Sequence, residues 1–417
     1  MSTDMQAQEN TPVRTKPWPQ RGLLGVEEKA AVDALFDEVI ASGAVFGYNG
    51  PQEEAYCREF AEFMGGGYAD GVNSGSNAVY VALHALDLEP FSEVIVGAVT
   101  DPGGIMPIPL LNLIPMVADV TPTSFNAGPQ QIEELITPYT RAIVIAHIAG
   151  EPADMPAIMK IAEKHNLYVI EDTAQAHGAT INGQMVGTFG HIAAFSTMSG
   201  KHHCTGSQGG VVYTKDESLY WKVRRASDRG KATFGLPAGS TNDICAVNMN
   251  SSDLAAVIGS VQLKKLPRIV SRRQELIAML AEGLKDVPYV ALPQIIPGGA
   301  ASYWFTRMHL NLDTMTCDLP TFYDAVFAEG LTPCGYNYSS NTPHRYDWFT
   351  KRHVFGASGY PWASPDYKGD RNRQFPCPNS LALCKTEFNL SLTEAWGEEE
   401  IRDVVTIIRK VGEKYSK

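Results

Sequence analysis

Short runs rich in valine and isoleucine alternate with helical stretches between residues 68 and 215. After ADGVNSG (69–75), the runs are SEVIVGAV (92–99), IPMVADV (114–120), RAIVIAHI (141–148), LYVIED (167–172), GHIAAFST (190–197) and GGVVYTK (209–215). A strand that is apolar at nearly every position is typical of a sheet covered on both faces, and helices between strands favour parallel neighbours. The pattern therefore predicts an α/β fold around a largely parallel sheet.

The length of 417 residues is too great for one simple core, so we expect more than one domain. A long helical pattern covers 251–287, with a break expected near Pro267. The residues after it predict a strand and two helices and include a loop-rich aromatic segment at 337–378. We predict a flexible N-terminal arm at 1–20, a large domain at 21–269 that begins with helices, and a smaller α+β domain at 270–417.

The charge and cysteine patterns exclude several classes of protein. A net charge of −12 argues against nucleic acid as a partner, because phosphate neutralisation needs clustered lysine and arginine. Seven scattered cysteines without any CxxC pair predict reduced thiols and a cytoplasmic protein. The first 20 residues are polar, which argues against a signal peptide, and no window predicts a membrane span.

Two segments of the sheet region carry polar groups where ligands of α/β proteins bind. The turn NSGSNA (73–78) precedes a helix, so its free backbone N–H groups and the hydroxyls of Ser74 and Ser76 are candidates for holding a phosphate. In VIEDTAQAHG (169–178), Asp172 follows a buried strand and could pair with a protonated ring nitrogen. Taken alone, each segment is explained better by ordinary helix capping than by ligand binding.

A lysine follows the next strand, in the stretch FSTMSGKHHCTGSQGG (195–210). Lysines are rarely buried without a partner or a task, and a buried amine loses its charge readily and can form a Schiff base with an aldehyde. A metal site made of His202, His203 and Cys204 is the alternative. Because these three residues are consecutive, their side chains diverge, and that alternative is disfavoured.

A phosphate turn, a strand-end acid and a strand-end lysine in one α/β domain together form the set that pyridoxal 5′-phosphate requires. The three groups supply a phosphate anchor, a partner for the ring nitrogen and a covalent anchor. The combination predicts a pyridoxal-phosphate enzyme, with Lys201 as its catalytic residue and without a metal.

The chain also resembles the DegT/StrS-type aminotransferases, which act on sugars and cyclitols and belong to fold type I of the pyridoxal-phosphate enzymes. Similar segments run nearly from end to end: KPWP (16–19), NSGSNA, the stretch 154–179, VGTFGHIAAFSTMSGK (186–201), GGVVYT (209–214) and AAVIGSVQL (255–263). The resemblance implies a three-layer α/β/α large domain with a mostly parallel seven-stranded sheet and a smaller α+β C-terminal domain. It also implies a homodimer with shared active sites.

The resemblance assigns roles to individual residues. Lys201 is implied as the Schiff-base lysine and as the base that moves the substrate proton, and Asp172 as the partner of the ring nitrogen. The other implied cofactor-binding residues are Gln175 at the ring hydroxyl, Ala174 on a ring face, Gly75, Ser76 and Ser196 at the phosphate with Asn77 beside them, and Asn248 reaching the phosphate of the partner subunit.

The chain departs from the family pattern on the substrate side. Where relatives carry a ring-stacking aromatic, GAVTDPGG (97–104) offers Asp101, so that Pro102 is a candidate cover for the ring and Asp101 a candidate contact to an amine. Met249 and Asn250 replace a usual tyrosine and arginine. These changes concern the substrate more than the cofactor.

Three functions remain as hypotheses. The leading one is an aminotransferase that moves an amino group from glutamate or glutamine to a keto sugar, a nucleotide-linked keto sugar or a keto cyclitol, with pyridoxamine phosphate as the intermediate form. A dehydratase of the same fold is the first alternative; such relatives carry a histidine in place of the lysine, and His202 adjoins Lys201. A non-catalytic, cofactor-binding regulatory protein is the second alternative.

Overall fold

The computed structural model describes residues 11–231, 242–336 and 342–417. The α-helices are α1 Val26–Ser42, α2 Pro51–Phe63, α3 Gly75–Ala85, α4 Pro102–Ile105, α5 Pro107–Leu110, α6 Pro129–Glu133, α7 Met155–His165, α8 Glu217–Ser227, α9 Asp253–Leu284, α10 Leu319–Ala328, α11 Asp347–Thr350, α12 Pro378–Leu383 and α13 Glu398–Tyr415. The strands are β1 Tyr68–Val72, β2 Glu93–Gly97, β3 Ile114–Ala118, β4 Thr140–Ala146, β5 Tyr168–Asp172, β6 Thr180–Ile181, β7 Gln184–Met185, β8 Ile192–Ser196, β9 Gly210–Thr214, β10 Val290–Ala291, β11 Gly299–Ala300, β12 Thr306–Leu310, β13 Cys334–Gly335 and β14 Glu387–Leu390. Short 3₁₀ helices lie at Ile148–Gly150, Leu312–Thr314 and Pro343–Arg345.

The main sheet has seven strands in the order β1-β9-β8-β5-β4-β2-β3. Strand β9 runs antiparallel to β1 and β8, and the other neighbours are parallel. Strands β2, β3, β8 and β9 are buried at every position, as expected for strands covered by helices on both faces. The predicted α/β fold with a mostly parallel seven-stranded sheet is confirmed.

Alternate side chains of the strands pack into separate cores on the two faces of the sheet. Along β2, Val94 and Val96 pack with Val79 of α3 on one face. Ile95 points to the other face and packs with Ile158 of α7. This two-sided burial fixes the register of the strands, because a shift by one residue would exchange the two faces.

The C-terminal part has its own sheet and core. Strands β10, β12, β14 and β13 pair in that order, all antiparallel. Leu280 of α9, Phe322 of α10, Phe388 of β14 and Val404 of α13 are among the residues of its core. This arrangement is compatible with the smaller α+β domain expected from the sequence; the boundaries 1–20, 21–269 and 270–417 stay a prediction.

The break expected near Pro267 does not occur. Helix α9 is continuous over 32 residues and contains Pro267 in its interior. Proline removes one backbone donor from a helix, which is a local loss. Leu266 and Leu280, on either side of the proline, are fully buried in two different cores, so packing holds both halves of the helix in place.

The described half of the predicted N-terminal arm lies against α13. Arg14 is buried and forms ion pairs with Glu400 at 3.2 Å and Asp403 at 2.6 Å. The ring of Trp18 stacks on that of Trp396, with centroids 4.5 Å apart. Residues 1–10 lie outside the described ranges. Within those ranges, no helix combines the length and apolarity needed to span a membrane.

Candidate active site

One cavity of about 290 Å³ opens where the carboxyl ends of β5 and β8 meet the amino end of α3. Because β1, β5 and β8 point the same way, the residues that follow each of them reach the same edge of the sheet. The cavity is lined by Ser74, Gly75, Ser76, Val79, Thr100, Asp101, Gly103, Gly104, Ala146, His147, Asp172, Ala174, Gln175, Ser196, Met198, Lys201, Gln208 and Trp304. Eight of the ten site residues predicted from the sequence are among them, and Asn77 and Asn248 are not.

Lys201 is buried, with 7% of its surface exposed. Burial lowers the pKa of its amine to about 8, even though Asp172 and Asp101 favour the charged form. The Nζ atom lies 3.5 Å from the ring centroid of Trp304, whose face attracts a cation. Since a lysine with a pKa near 8 is partly neutral close to physiological pH, this amine is suited to attack a carbonyl or take up a proton.

Asp172 ends β5 and faces the same cavity. Its Oδ1 atom accepts a hydrogen bond of 3.1 Å from the Ala174 N–H. Burial raises the pKa of the carboxyl group to about 6, although the Ala174 N–H and the Lys201 amine favour the carboxylate. The few favourable contacts of this carboxylate do not offset its loss of water. A cationic group in the cavity would stabilise it, and a protonated ring nitrogen is such a group.

Small residues at the amino end of α3 line one side of the cavity. Ser74 caps the helix and accepts a hydrogen bond of 3.1 Å from the Asn77 N–H, which is the predicted capping role. Gly75 packs so closely on Ser196 that a Cβ atom there would lie 2.5 Å from the Ser196 Cβ. Free N–H groups at a helix start, together with the hydroxyls of Ser76 and Ser196, form a donor set suited to phosphate.

Asn77 and Asn248 lie away from the cavity of their own chain. The Asn77 side chain donates a hydrogen bond of 2.6 Å to the Oδ1 atom of Asn73. Asn248 is exposed, and its Oδ1 atom accepts hydrogen bonds from the backbone and side chain of Asn250. A direct phosphate contact from Asn77 would require its side chain to leave Asn73.

The side chains of Asp101 and Gln175 each accept a hydrogen bond from a backbone N–H group. Asp101 accepts a hydrogen bond of 2.8 Å from the Gly103 N–H and caps the short helix α4. Gln175 accepts one of 2.8 Å from the Ala149 N–H through its side-chain oxygen. Asp101, Gly103 and Gly104 line the cavity, whereas Pro102, the candidate cover for the ring, does not.

The consecutive residues His202, His203 and Cys204 each have their own polar partner in the interior. His202 and His203 are buried; the His202 ring contacts the carbonyl of Ser302 at 3.0 Å, and the His203 ring contacts that of Gly259 at 3.2 Å. Among the described residues, no group of three or more histidines, cysteines or acidic residues could hold a metal ion. His202 does not line the cavity, whereas Lys201 does.

Trp304 is the main cavity residue that the sequence did not indicate. It precedes β12, and its indole N–H donates a hydrogen bond of 2.9 Å to the carbonyl of Gly200, next to the lysine. Its segment, SYWFTRMHLNL, predicts only a strand. Since Trp304 is about 100 positions from Lys201 in the chain, no local pattern links the two residues.

A partly buried group of charges, which we call the Glu394 brace, fixes the backbone on both sides of the contact between Lys201 and Trp304. It consists of Glu394 with Arg21 and Arg273, at distances of 2.7 and 2.9 Å. Arg21 donates to the carbonyls of Lys201 and His202. Arg273 donates to the carbonyls of Tyr303 and Trp304 at 2.8 and 3.1 Å.

One carboxylate therefore holds two guanidinium groups that bind the lysine turn and the tryptophan turn. Burial alone would raise the pKa of Glu394, but Arg273 and Arg21 outweigh it and lower that pKa. Charge-assisted hydrogen bonds of this kind are stronger than neutral ones and hold their acceptors in a defined orientation. The brace accounts for the close approach of Lys201 to Trp304.

The titration of Lys201 gives a direct test of its burial. We expect the rate at which an amine-reactive reagent labels Lys201 in the cofactor-free protein to rise with a midpoint near pH 8, because burial lowers its pKa to about 8. Lys16 serves as an internal control, since its exposed amine has a raised pKa beside Glu399. Asp172→Asn should lower the Lys201 midpoint further, because it removes a charge that favours the protonated amine. A Lys201 midpoint matching that of Lys16 would contradict the burial.

The brace is tested by Glu394→Gln, with Glu399→Gln as the matched control because Glu399 pairs with Lys16 on the surface. Loss of the Glu394 charge leaves Arg21 and Arg273 without a counter-charge and loosens both turns. We expect the Lys201 labelling midpoint to move from about 8 towards its ordinary value of 10.5, since the amine gains access to water. Equal midpoints in the two folded variants would show that the brace does not position Lys201.

The sequence profile of the DegT/DnrJ/EryC1/StrS aminotransferase family matches residues 26–322. The chain belongs to this family. The L-glutamine:2-deoxy-scyllo-inosose aminotransferase of Streptomyces kanamyceticus is 32% identical over 318 residues, which span 73% of each chain. Pyridoxal phosphate is the cofactor of this aminotransferase family, and a transaminase activity follows for this member.

Solved structures have the same fold. The aminotransferase from Psychrobacter cryohalolentis superposes with a TM-score of 0.82 at 28% identity, covering 96% of this chain and 99% of that one. The GDP-4-keto-6-deoxy-D-mannose-3-dehydratase of E. coli, solved with hydrated pyridoxal phosphate, superposes with a TM-score of 0.77 over 95% and 100% of the two chains. At 23% identity the latter likeness concerns the fold alone.

The residues of this cavity fit pyridoxal phosphate. The buried Thr100 hydroxyl has no hydrogen-bond partner among the described residues, and it faces the cavity. A Cβ atom at Gly104 would lie 2.4 Å from that hydroxyl and 3.1 Å from Asp172, so glycine keeps this space open. Phosphate donors, a buried carboxylate and a buried amine thus surround one space of suitable chemistry.

Proposed function

We propose that this protein transfers an amino group from glutamate or glutamine to the keto group of a sugar, a nucleotide-linked sugar or a cyclitol. The observation that carries the proposal is the buried Lys201 amine, which shares one cavity with Asp172 in a member of an aminotransferase family. Biosynthesis of amino sugars, for secondary metabolites or cell-surface glycans, is the class of process that such an activity serves.

The chain's own residues would divide the work as follows. Gly75, Ser76 and Ser196 would bind the phosphate of the cofactor, and Asp172 would pair with its ring nitrogen. When bound, pyridoxal phosphate supplies an aldehyde that condenses with amines and a ring that takes up an electron pair. Lys201 Nζ would hold the aldehyde at rest, and then carry the proton from the carbon bearing the donor amine.

The remaining contacts shape the surroundings of that proton transfer. Trp304 would exclude water from the Lys201 amine, and Gln175 would lie near the ring hydroxyl with Ala174 on one ring face. Asp101 would offer a carboxylate to the amino group of the substrate. In the second half of the reaction, Lys201 would return a proton to the carbon of the acceptor.

The dehydratase hypothesis is less well supported by the site. It places a histidine at the proton-transfer position, and the neighbouring His202 is buried outside the cavity with its ring against the carbonyl of Ser302. The hypothesis of a non-catalytic regulatory protein does not explain why a reactive amine, Lys201, is buried in the same cavity as Asp172. Both alternatives remain as outcomes of the test below.

We also propose that the enzyme is a cytoplasmic homodimer in which Asn248 of each subunit reaches the phosphate site of the other. Support comes from the exposure of Asn248 and from its position outside the cavity of its own chain. All seven cysteines lie in the described ranges and none of them is paired in a disulfide there, which suits a reducing compartment.

The proposal is tested by adding glutamate or glutamine to the protein loaded with pyridoxal phosphate. We expect the absorbance of the bound aldehyde form to be replaced by that of the amine form, with release of one keto acid per site. Lys201→Ala should slow this change by about 10²–10⁴-fold, since it removes the group that moves the proton. Lys16→Ala, which changes an exposed lysine, is the control and should react at the normal rate.

The same loaded protein, given a keto sugar after the amino donor, separates the alternatives. A non-catalytic protein would show no absorbance change with any amino donor. A dehydratase would release water from a keto sugar without transferring nitrogen to it, which mass spectrometry of the products detects.

A further inference from the structure

Two stretches of the loop-rich segment come together in a second pocket. They are HRYDW (344–348) and RNRQF (371–375), and each contains both arginine and an aromatic residue. The pocket has a volume of about 320 Å³, and its lining includes Arg345, Arg352 and Arg373. No acidic residue is among its lining residues.

The arginines of this pocket lack counter-charges. Within the described part of the chain, neither Arg345 nor Arg373 forms an ion pair, and Arg352 donates to the backbone carbonyl of Arg371. The nearby Asp347 is engaged with Lys351 at 2.6 Å. Three guanidinium groups around one space, in a chain with a net charge of −12, form a locally positive site. Guanidinium groups bind phosphate oxygens in a bidentate manner, so phosphate is the anion that this set fits best.

Aromatic rings form a fixed wall beside the arginines. The rings of Phe349 and Phe375 meet edge to face, with centroids 6.1 Å apart, and Phe349 also packs against Trp362 at 5.8 Å. Both phenylalanines contact the cores of the main sheet, which holds them in position. A planar ring carried by the same ligand as the phosphate can stack on such a surface.

The pocket borders the candidate active site. His344 lies against the backbone of Ala98, directly after β2. Tyr346, next to Arg345, lies close enough to Asp101 that this carboxylate adds to the effect of burial in raising the pKa of the tyrosine. Asp101 lines the cavity that contains Lys201. The two spaces are therefore separated by the turn between β2 and α4.

We propose that the pocket formed by Arg345, Arg352, Arg373, Phe349 and Phe375 binds the phosphate or diphosphate group of the acceptor substrate. The proposal rests on the function proposed above and narrows it: the acceptor is a keto sugar that carries a phosphate or a nucleoside diphosphate, and not an uncharged cyclitol. The phosphate group is held at the arginines while the keto carbon reaches Lys201.

The proposal is tested by calorimetric titration of the holoenzyme with inorganic pyrophosphate, glucose 1-phosphate and uridine diphosphate. The double variant Arg345→Ala/Arg373→Ala is compared with Arg371→Ala, a change of equal charge type in the same loop whose side chain donates to Tyr367 and does not line the pocket. We expect each ligand that binds the unaltered protein to lose at least about tenfold in affinity in the double variant and little in Arg371→Ala, because hydrogen bonds between charged groups are stronger than neutral ones.

The pattern of ligands distinguishes the two sources of phosphate. Tighter binding of uridine diphosphate than of pyrophosphate indicates a nucleotide whose base uses the aromatic wall, and a preference for glucose 1-phosphate indicates a sugar phosphate. If none of the three ligands binds, or if the double variant binds them as the control does, the proposal is overturned.

Failure of this proposal can be told apart from failure of the proposed function. The reaction with the amino donor takes place at Lys201 and is followed in the unaltered protein, whereas phosphate binding is compared between the double variant and Arg371→Ala. A normal change without phosphate binding would overturn the pocket assignment and leave amino transfer intact. Phosphate binding that depends on the two arginines, without any absorbance change, would support the pocket and count against amino transfer.

Discussion

The burial of one amine beside one carboxylate is the constraint on which the rest of the site depends. Desolvation lowers the pKa of Lys201 and raises that of Asp172, so both groups are held at a cost when the cavity contains no further charge. A protonated aromatic ring with an aldehyde would satisfy both at once, because it offers Asp172 a cation and Lys201 a carbonyl carbon. The cavity is thus pre-organised for a cofactor of that chemistry.

The fold keeps these two groups together by two independent means. The parallel strands β5 and β8 end at the same edge of the sheet and deliver Asp172 and the lysine turn to adjacent positions. The Glu394 brace then ties that turn to the segment before β12, and it draws its three charged residues from the N-terminal segment, from α9 and from the stretch after β14. The position of the amine therefore depends on residues from most of the chain.

The sequence predicts those features that local patterns encode. Continuous apolar runs indicated the buried parallel strands, and the polar residues after them lie at the sheet edge where Gly75, Asp172 and Lys201 line one cavity. Features formed by residues far apart in the chain could not be predicted in this way. Trp304 and the partners of Glu394 meet Lys201 only after folding, and Pro267 was expected to break a helix that packing against two cores keeps continuous.

The most direct measurement of the central claim is borohydride reduction of the protein loaded with pyridoxal phosphate, followed by digestion and mass spectrometry of the peptides. The account predicts that the reduced cofactor is attached to Lys201 alone, and that Asp172→Asn weakens cofactor binding without changing the site of attachment. Attachment to any other lysine, or no covalent attachment in a protein that still converts its substrate, would contradict the account.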